Sequence, residues 1–571
     1  MLKKTISDLE NIKKETLEKM KLSEGEKRVT VHMGTCGIAS GAREVLSSVR
    51  EEIKKSQVKN VKVKTTACMG ICSKEPLITV EVYGQEPIIY EHMDKEKVAK
   101  VFEKHILNGK VVKEYAFARG KECEIKDRIK NGGVLEGVEV LDETIPAIED
   151  IPFFRLQEPR VMKNRAVIDA NNINEYIARD GYKGVIKALK DMSSEDIIEE
   201  VLEAGIRGRG GAGFPTGLKW KFATKTPGDI KYVLCNADEG DPGVYMDRSV
   251  LEGDPHAIIE GMIIAAKAIG AHKGYIYCRA EYPLAVETLN KAINSARAYG
   301  LLGENILGTG FDFDLEVYEG AGAFVCGEET ALMRSIEGKR GNPRPRPPFP
   351  AEKGLFEKPT VLNNVETLAT IPQIILKGSQ WFRTVGTEES KGTKVFSITG
   401  DINNVGCVEI PIGMTVGTVI NEIGGGICQG KKFKAAQLGG PSGGCIPVQH
   451  LDTPLDYEEL NKIGSMMGSG GLIVMSEGKS AVDIARFFMD FCADESCGKC
   501  VPCREGTKQM LKILNDICEG RGKQGDIEKL EDLAKVVKNT SLCALGQTAP
   551  NPILSTINYF KNEYEEAINK K

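Results

Sequence analysis

The sequence lacks an apolar run long enough to cross a membrane, a surplus of either charge, and an apolar leader at its N-terminus. Its longest apolar stretch, Ala257 to Ala271, is interrupted by Glu260 and Lys267 and reads as a buried helix. Lysine and arginine number 76 against 81 aspartates and glutamates, a formal balance of −5. So even a balance argues against a nucleic-acid or anionic-membrane partner. Met1 to Lys21 reads as a charged amphipathic helix without the hydrophobic centre of a signal peptide, and a cytoplasmic location is expected. Disulfides do not persist there, so the sixteen cysteines need another explanation. Those that cluster are read as metal ligands. Cys235, Cys278, Cys326, Cys407, Cys428 and Cys445 stand apart and read as small core residues.

What the chain has instead is a concentration of glycine. Gly205 to Trp220 packs six glycines, Arg207, Arg209 and Lys219 into sixteen residues. Glycine lets backbone N–H groups approach a phosphate closely, and the cations balance its charge. Gly208, Gly210 and Gly213 satisfy the G-x-G-x-x-G pattern, but Ile197, Ile198, Val201 and Leu202 precede them at helical spacing. A dinucleotide fingerprint follows a strand, so a helix leading into the loop disfavours the ordinary Rossmann reading. Phe214, Leu218 and Trp220 are equally out of place in a surface linker.

With 571 residues, three to five domains are expected. Strands at Arg28 to Met33 and Val61 to Thr66, a helix at Ile38 to Lys55, short strands at Leu77 to Tyr83 and Pro87 to Tyr90 and a helix at Asp94 to Leu107 give the order of a thioredoxin-like domain over residues 1–115. Its loops carry Cys36 and the pair Cys68 and Cys72. Thioredoxin-like ferredoxins hold a [2Fe–2S] cluster with four cysteines there, and His32 occupies the usual first position, where imidazole could ligate iron. Cys123 is the rival, and loss of the cluster is the bland alternative. Residues 116–150 read as a linker. An α/β pattern follows over 151–390, with strands at Val233 to Ala237, Lys273 to Arg279 and Phe313 to Val317. A β-grasp-like domain is expected over 391–475 and helices over 476–571.

Cys497, Cys500 and Cys503 have the C-x2-C-x2-C spacing of a cluster site, with Cys543 as the remote fourth ligand. Structural zinc usually pairs its C-x2-C groups rather than running three together. Cys492 and Cys518 read as structural.

The glycine loop, Asn236 to Gly243, Gly327-Glu328-Glu329-Thr330, Asn363-Asn364-Val365-Glu366-Thr367 and the Cys497 cluster, in this order, strongly resemble the NADH-oxidising flavin subunit of respiratory complex I and the diaphorase subunits of NAD-linked hydrogenases and formate dehydrogenases. The resemblance covers about Ile151 to Tyr564. It implies an α/β multidomain fold with a Rossmann-like FMN domain, a β-grasp (SLBB) domain and a helical bundle with a [4Fe–4S] cluster. It places Gly208, Arg209, Gly210, Lys219, Asn236, Asp238, Glu239, Gly327, Glu328, Asn363, Asn364 and Thr367 around FMN. It places Phe214, Phe222, Asp241, Phe324, Glu329 and Phe349 around NADH. Phe324 stands where the family usually has tyrosine, and Asp241 where it usually has glutamate. Glu329 would repel the 2′-phosphate of NADPH by about 4 kcal/mol at 4 Å and an effective dielectric near 20, favouring NADH.

NADH releases two electrons as a hydride and a cluster accepts one, so FMN would stand between them and no catalytic acid or base is required. A thioredoxin-like front end resembles the β-type subunit of multimeric [FeFe]-hydrogenases, including electron-bifurcating ones. The partners implied are a hydrogenase catalytic subunit, a small thioredoxin-like [2Fe–2S] subunit and, through the complex, ferredoxin. The C-terminal two-cluster ferredoxin domain that many such subunits carry does not follow before Lys571. The equivalent subunit of a formate dehydrogenase or a complex I-like dehydrogenase is the enzyme alternative, and a zinc-stabilised scaffold the non-enzyme one.

Overall fold

The computed structural model describes residues 3–130 and 138–569. In the first domain, β1 (Lys27–His32) pairs parallel with β2 (Val61–Thr66) and antiparallel with β3 (Ile78–Val82), followed by β4 (Ile88–Tyr90) and β5 (Ala116–Arg119). The sheet order is β2-β1-β3-β4-β5. Val29, Val31, Ile78, Val80 and Ile88 pack under helices that supply Val45, Val49, Val98 and Phe102. The single helix expected at Ile38 to Lys55 is two, Thr35–Ala39 and Ala42–Ser56, because Gly41 at φ +108° turns the chain between them.

The stretch 116–150, expected as a linker, extends this domain instead. β5 pairs with β4, and Arg128 is 2% exposed, with Glu86 at 2.5 Å and Glu149 at 2.7 Å. These charges neutralise one another inside the fold, so their polarity in sequence imitates a solvated segment. Residues 131–137 of the expected linker lie outside the described residues.

The second sheet is wholly parallel: β6 (Tyr232–Ala237), β7 (Lys273–Arg279), β8 (Asp314–Gly320) and β9 (Thr360–Asn364), in the order β8-β7-β6-β9. Helices cover it, so Val233, Leu234 and Cys235 run apolar without alternation. Helix Pro255–Ile269 is buried along nearly its whole length. Its Glu260 accepts hydrogen bonds from the Tyr182 and Val185 amides at 2.8 and 3.1 Å and from the Tyr176 hydroxyl, which is how a carboxylate is tolerated there. The strand order reverses between β6 and β9, where register sets Asn236 beside Asn364. Open parallel sheets bind ligands at such a crevice.

The third sheet is mixed: β10 (Thr393–Gly400), β11 (Gly406–Pro411), β12 (Phe433–Leu438), β13 (Gly444–Pro447) and β14 (Gly471–Ser476), ordered β11-β10-β14-β12-β13. The C-terminal helices, among them Ala481–Asp494, Val501–Cys518, Asp526–Thr540 and Asn551–Asn569, share a core around Met489, Met510, Leu514, Leu530 and Ile553. Among the described residues, no helix is long and apolar enough to cross a membrane.

Candidate functional site

Helix Ser194–Ala204 leads into the glycine loop, opened by a capping box between Ser193 and Asp196 and closed by Gly205 at φ +68°. Helix Thr216–Lys225 leaves it. The Gly208 amide donates to the Phe214 carbonyl at 2.8 Å, which closes the loop on itself. At Gly213, φ is +64° and a Cβ would stand 2.7 Å from the Tyr457 ring, so glycine is required twice over.

The two loop arginines, expected to balance a phosphate, are both engaged within the fold. Arg209 is 1% exposed, and its guanidinium donates to the Thr393, Arg207 and Lys391 carbonyls at 3.0, 2.9 and 2.7 Å. Arg207 pairs with Glu458 at 2.6 Å and lies 4.3 Å over the Tyr457 ring. Both tie the loop to the third domain. Lys219 is the loop cation that stays at the site, 3.1 Å from the Leu362 carbonyl and 3.4 Å from Glu329.

The residues beyond β6 and β9 converge on the same crevice. Asn236 donates to the Gly327 carbonyl at 2.8 Å. Asn364 donates to Asp247 at 2.5 Å and caps helix Val365–Lys377 with its carbonyl oxygen. Thr367 accepts from the Arg209 amide at 2.8 Å, and Asn363 accepts from the Trp220 indole at 2.9 Å. Glu328 caps helix Glu329–Ile336. Glu239 accepts from the Asp247 and Arg248 amides at 2.8 and 3.0 Å, so it orders the turn. Asp247 was absent from the sequence-derived set, because nothing local marks it as a partner of Asn364.

Asp238 differs from all of these: it is 7% exposed, and neither carboxylate oxygen has a hydrogen-bond partner. Burial pushes its pKa up to about 7. A ribityl hydroxyl or an isoalloxazine N–H fits that orphaned pair of acceptors, and the glycine loop with Lys219 fits a phosphate. The unliganded fold bears the cost of the carboxylate. Its folded pKa exceeds the unfolded value, so it destabilises progressively from about pH 4 to about pH 7 and fully above that. Flavin-free Asp238→Asn protein is therefore expected to melt above the parent at pH 8, with the gap closing as pH falls to about 4, and with an upper bound of about 4 kcal/mol. Parallel melts at the two pH values check this.

Phe214, Phe222 and Phe349 are 44%, 48% and 54% exposed, a rare state for phenylalanine and suited to stacking on a planar ring. Phe324 is more enclosed, its ring 5.2 Å from Phe491. Asp241 accepts from the Ser469 hydroxyl at 2.5 Å against Gly440, and burial raises it to about 6. Glu329 is not a bare carboxylate, with Arg346 at 2.8 Å and Lys219 at 3.4 Å. Two cations on one anion weaken the repulsion expected of an isolated charge.

Cys497, Cys500, Cys503 and Cys543 line one cavity with Val325 and Pro343. Cys500 and Cys543 are the capping residues of helices Val501–Cys518 and Ala544–Thr548, and Gly498 turns at φ +74° between the first two thiols. A Cβ on Gly546 would stand 3.0 Å from that of Cys503, so glycine lets the two segments meet. Burial pushes the Cys543 thiol up to about 11. Four convergent cysteines fit a four-iron cluster. Arg340 donates to the Cys497 carbonyl at 2.8 Å, and the Phe324 amide to Glu495 at 2.9 Å, which docks the helices on the nucleotide domain. Val325 stands on the cavity wall and Gly327 at the crevice, so one turn separates the two sites.

In the first domain, Cys36, Cys68 and Cys72 line a second cavity. His32 does not line it; its Nε2 lies 3.0 Å from the Thr79 hydroxyl. Cys123 is not on that wall either.

The comparisons agree with this division. The Nuo51 FMN-binding domain family matches residues 201–373, the NADH-ubiquinone oxidoreductase-F iron-sulfur binding region residues 483–567, and the thioredoxin-like [2Fe-2S] ferredoxin family residues 20–105. The chain is 56% identical to the NADP-reducing hydrogenase subunit HndC of Solidesulfovibrio fructosivorans, over 72% of this chain and 83% of that one. It is 44% identical to an NADH-quinone oxidoreductase subunit of Escherichia coli (strain K12), over 69% of this chain and 89% of that one. Among solved structures it is similar to a chain of the NAD+-reducing [NiFe]-hydrogenase in the H2-reduced state, at 28% identity and a TM-score of 0.63, covering 96% of this chain and 86% of that one.

Proposed function

Since this chain belongs to the family of NADH-binding FMN and iron–sulfur subunits, we propose that it is the nicotinamide-converting subunit of a hydrogenase complex. Its cofactors are FMN, NAD, a [4Fe–4S] and a [2Fe–2S] cluster. The observation that carries the reading is the single turn Phe324 to Gly327 between the flavin crevice and the four-cysteine cavity. Bound FMN would supply the exchange between a two-electron hydride and single electrons. The chain supplies placement: Lys219 and the loop amides for the phosphate, Asp238 for the flavin's polar edge, and Phe214, Phe222 and Phe349 for stacking. Asn236 and Asn364 fix the crevice, and the buried apolar wall around Val325, Leu332 and Leu362 excludes water.

Identity to HndC and likeness to the NAD+-reducing [NiFe]-hydrogenase chain support a hydrogenase assignment over the formate dehydrogenase and complex I-like alternatives. The match of residues 483–567 to an iron–sulfur binding region sets aside a zinc scaffold. The partners that follow are a hydrogenase catalytic subunit and a small [2Fe–2S] subunit, with ferredoxin as a further reactant where the complex bifurcates electrons. The third sheet is assigned as a β-grasp (SLBB) domain, and the protein as cytoplasmic.

NADH is the preferred nucleotide in this reading, by less than the hundredfold of a bare Glu329, because Arg346 pairs with it. Anaerobic titration with NADH and NADPH should bleach the flavin with both, at lower KM for NADH, and Arg346→Ala should widen the ratio several-fold. A flavin that neither nucleotide bleaches removes the proposed function, and an unchanged ratio removes Arg346 from specificity.

A further inference from the structure

The cavity that holds Cys36, Cys68 and Cys72 has a fourth cysteine on its wall, and it comes from another domain: Cys407 of β11. The alternation of that strand decides which way the thiol faces. Val408 and Ile410 belong to the core of the third sheet, whereas Cys407 packs with the opposite group. Glu409, two residues on, shares that face and accepts hydrogen bonds from the Arg160, Val161 and Met162 amides. Met162 also lines the cysteine cavity.

The strand and the cysteine loop are joined backbone to backbone. The Cys407 amide donates to the Gly70 carbonyl at 2.7 Å, and the Ser73 amide to the Val405 carbonyl at 3.1 Å. A Cβ on Gly406 would stand 2.3 Å from the Gly70 oxygen, and one on Gly70 2.6 Å from the Cys407 oxygen. Both glycines therefore permit an approach that any side chain would block. On the opposite side, a Cβ on Gly34 would stand 2.8 Å from that of Cys68, which brings the Cys36 loop equally close. Arg165 donates to the Cys407 carbonyl at 2.9 Å, and Arg248 lies 3.8 Å from the Cys36 sulfur. A [2Fe–2S] group on four thiolates carries a net charge of about −2; Arg248 lines the cavity, paired with Glu252, while Arg165 holds the Cys407 backbone from outside the wall.

We infer that Cys407 is the fourth ligand of the [2Fe–2S] cluster, with Cys36, Cys68 and Cys72, so that the cluster bridges the thioredoxin-like domain and the third sheet. This rests on the reading that the first domain carries that cluster. On assembly from two ferric ions and two sulfides, each of the four thiols releases its proton as its sulfur bonds iron, and no electron is transferred. His32 keeps to Thr79 behind the wall, although its Nδ1 has no partner.

The test uses the full chain, loaded anaerobically with iron and sulfide. Wild type should hold about six irons, and after dithionite give the EPR signal of a reduced [2Fe–2S] centre without strong nitrogen coupling in pulsed spectra. Cys407→Ala should lose that signal and about two irons, as Cys36→Ala does, with flavin content unchanged. Cys407→Ser should keep the centre with shifted g values, since a serine oxygen can replace sulfur, and His32→Gln should leave it unaltered. About four irons in wild type would remove the cluster itself. About six irons with an unchanged Cys407→Ala signal, or a strongly coupled nitrogen lost in His32→Gln, would overturn the ligand assignment alone.

Discussion

In a Cys500→Ala protein, about four irons per chain are expected to be lost while FMN and its bleaching by NADH persist. Cys500 caps the helix that carries Cys503, and both thiols share their cavity with Cys497 and Cys543. Three sulfurs leave one corner of a cubane open, and alanine offers no replacement ligand. The helical domain should survive, because Met489, Met510, Leu514, Leu530 and Ile553 form a core apart from the cavity. Rapid mixing with NADH should then show flavin reduction at the parental rate, and freeze-quench EPR no signal from the four-iron centre. Onward electron flow should fall below detection. Unchanged iron content would remove Cys500 from the cluster, and loss of flavin as well would show a structural collapse instead.

Lys219→Ala should weaken FMN binding by about ten- to a hundredfold, the worth of one charge-assisted hydrogen bond of about 1.5–3 kcal/mol. The prediction falls on Lys219 because the other loop cations are engaged: Arg209 with three backbone carbonyls and Arg207 with Glu458 and the Tyr457 ring. Lys219 holds only the Leu362 carbonyl and a shared place on Glu329, which Arg346 retains. Fluorescence titration of flavin-free protein gives Kd directly, and melting temperature separates binding from folding. An unaltered Kd would take Lys219 out of the phosphate site. Arg209→Ala is a contrasting control: it strips a buried strut and should lower stability before it lowers affinity.

Much of the site was legible because its parts are local. The C-x2-C-x2-C run specifies three ligands within seven residues, and the helical spacing before Gly205 correctly set the loop apart from a strand-fed dinucleotide fingerprint. The strand Val61–Thr66 follows from the alternation of Val61, Lys62, Val63 and Lys64, and the parallel sheet behind Asn236 from short apolar runs between helices. Three features that the sequence hid share a cause. Residues 116–150 looked solvated because Arg128, Glu86 and Glu149 pair only after folding. The engagement of Arg209 was hidden because its carbonyl partners at Thr393 and Lys391 lie about 180 residues away. The hydrogen bond from Ser469 to Asp241 likewise spans 228 residues.

Sequence alone thus determined the cofactor classes and picked out the cysteines that lie in short spacings, since each rests on chemistry within a single turn or loop. Tertiary structure decided which charges stay free, how one turn at Phe324 to Gly327 joins flavin crevice to cysteine cavity, and that Cys407 stands with Cys36, Cys68 and Cys72. The physical reason is strand alternation combined with domain docking. Period two tells that Cys407 and Glu409 share a face, but only the packed neighbour says whether that face meets solvent, a core or three other thiols.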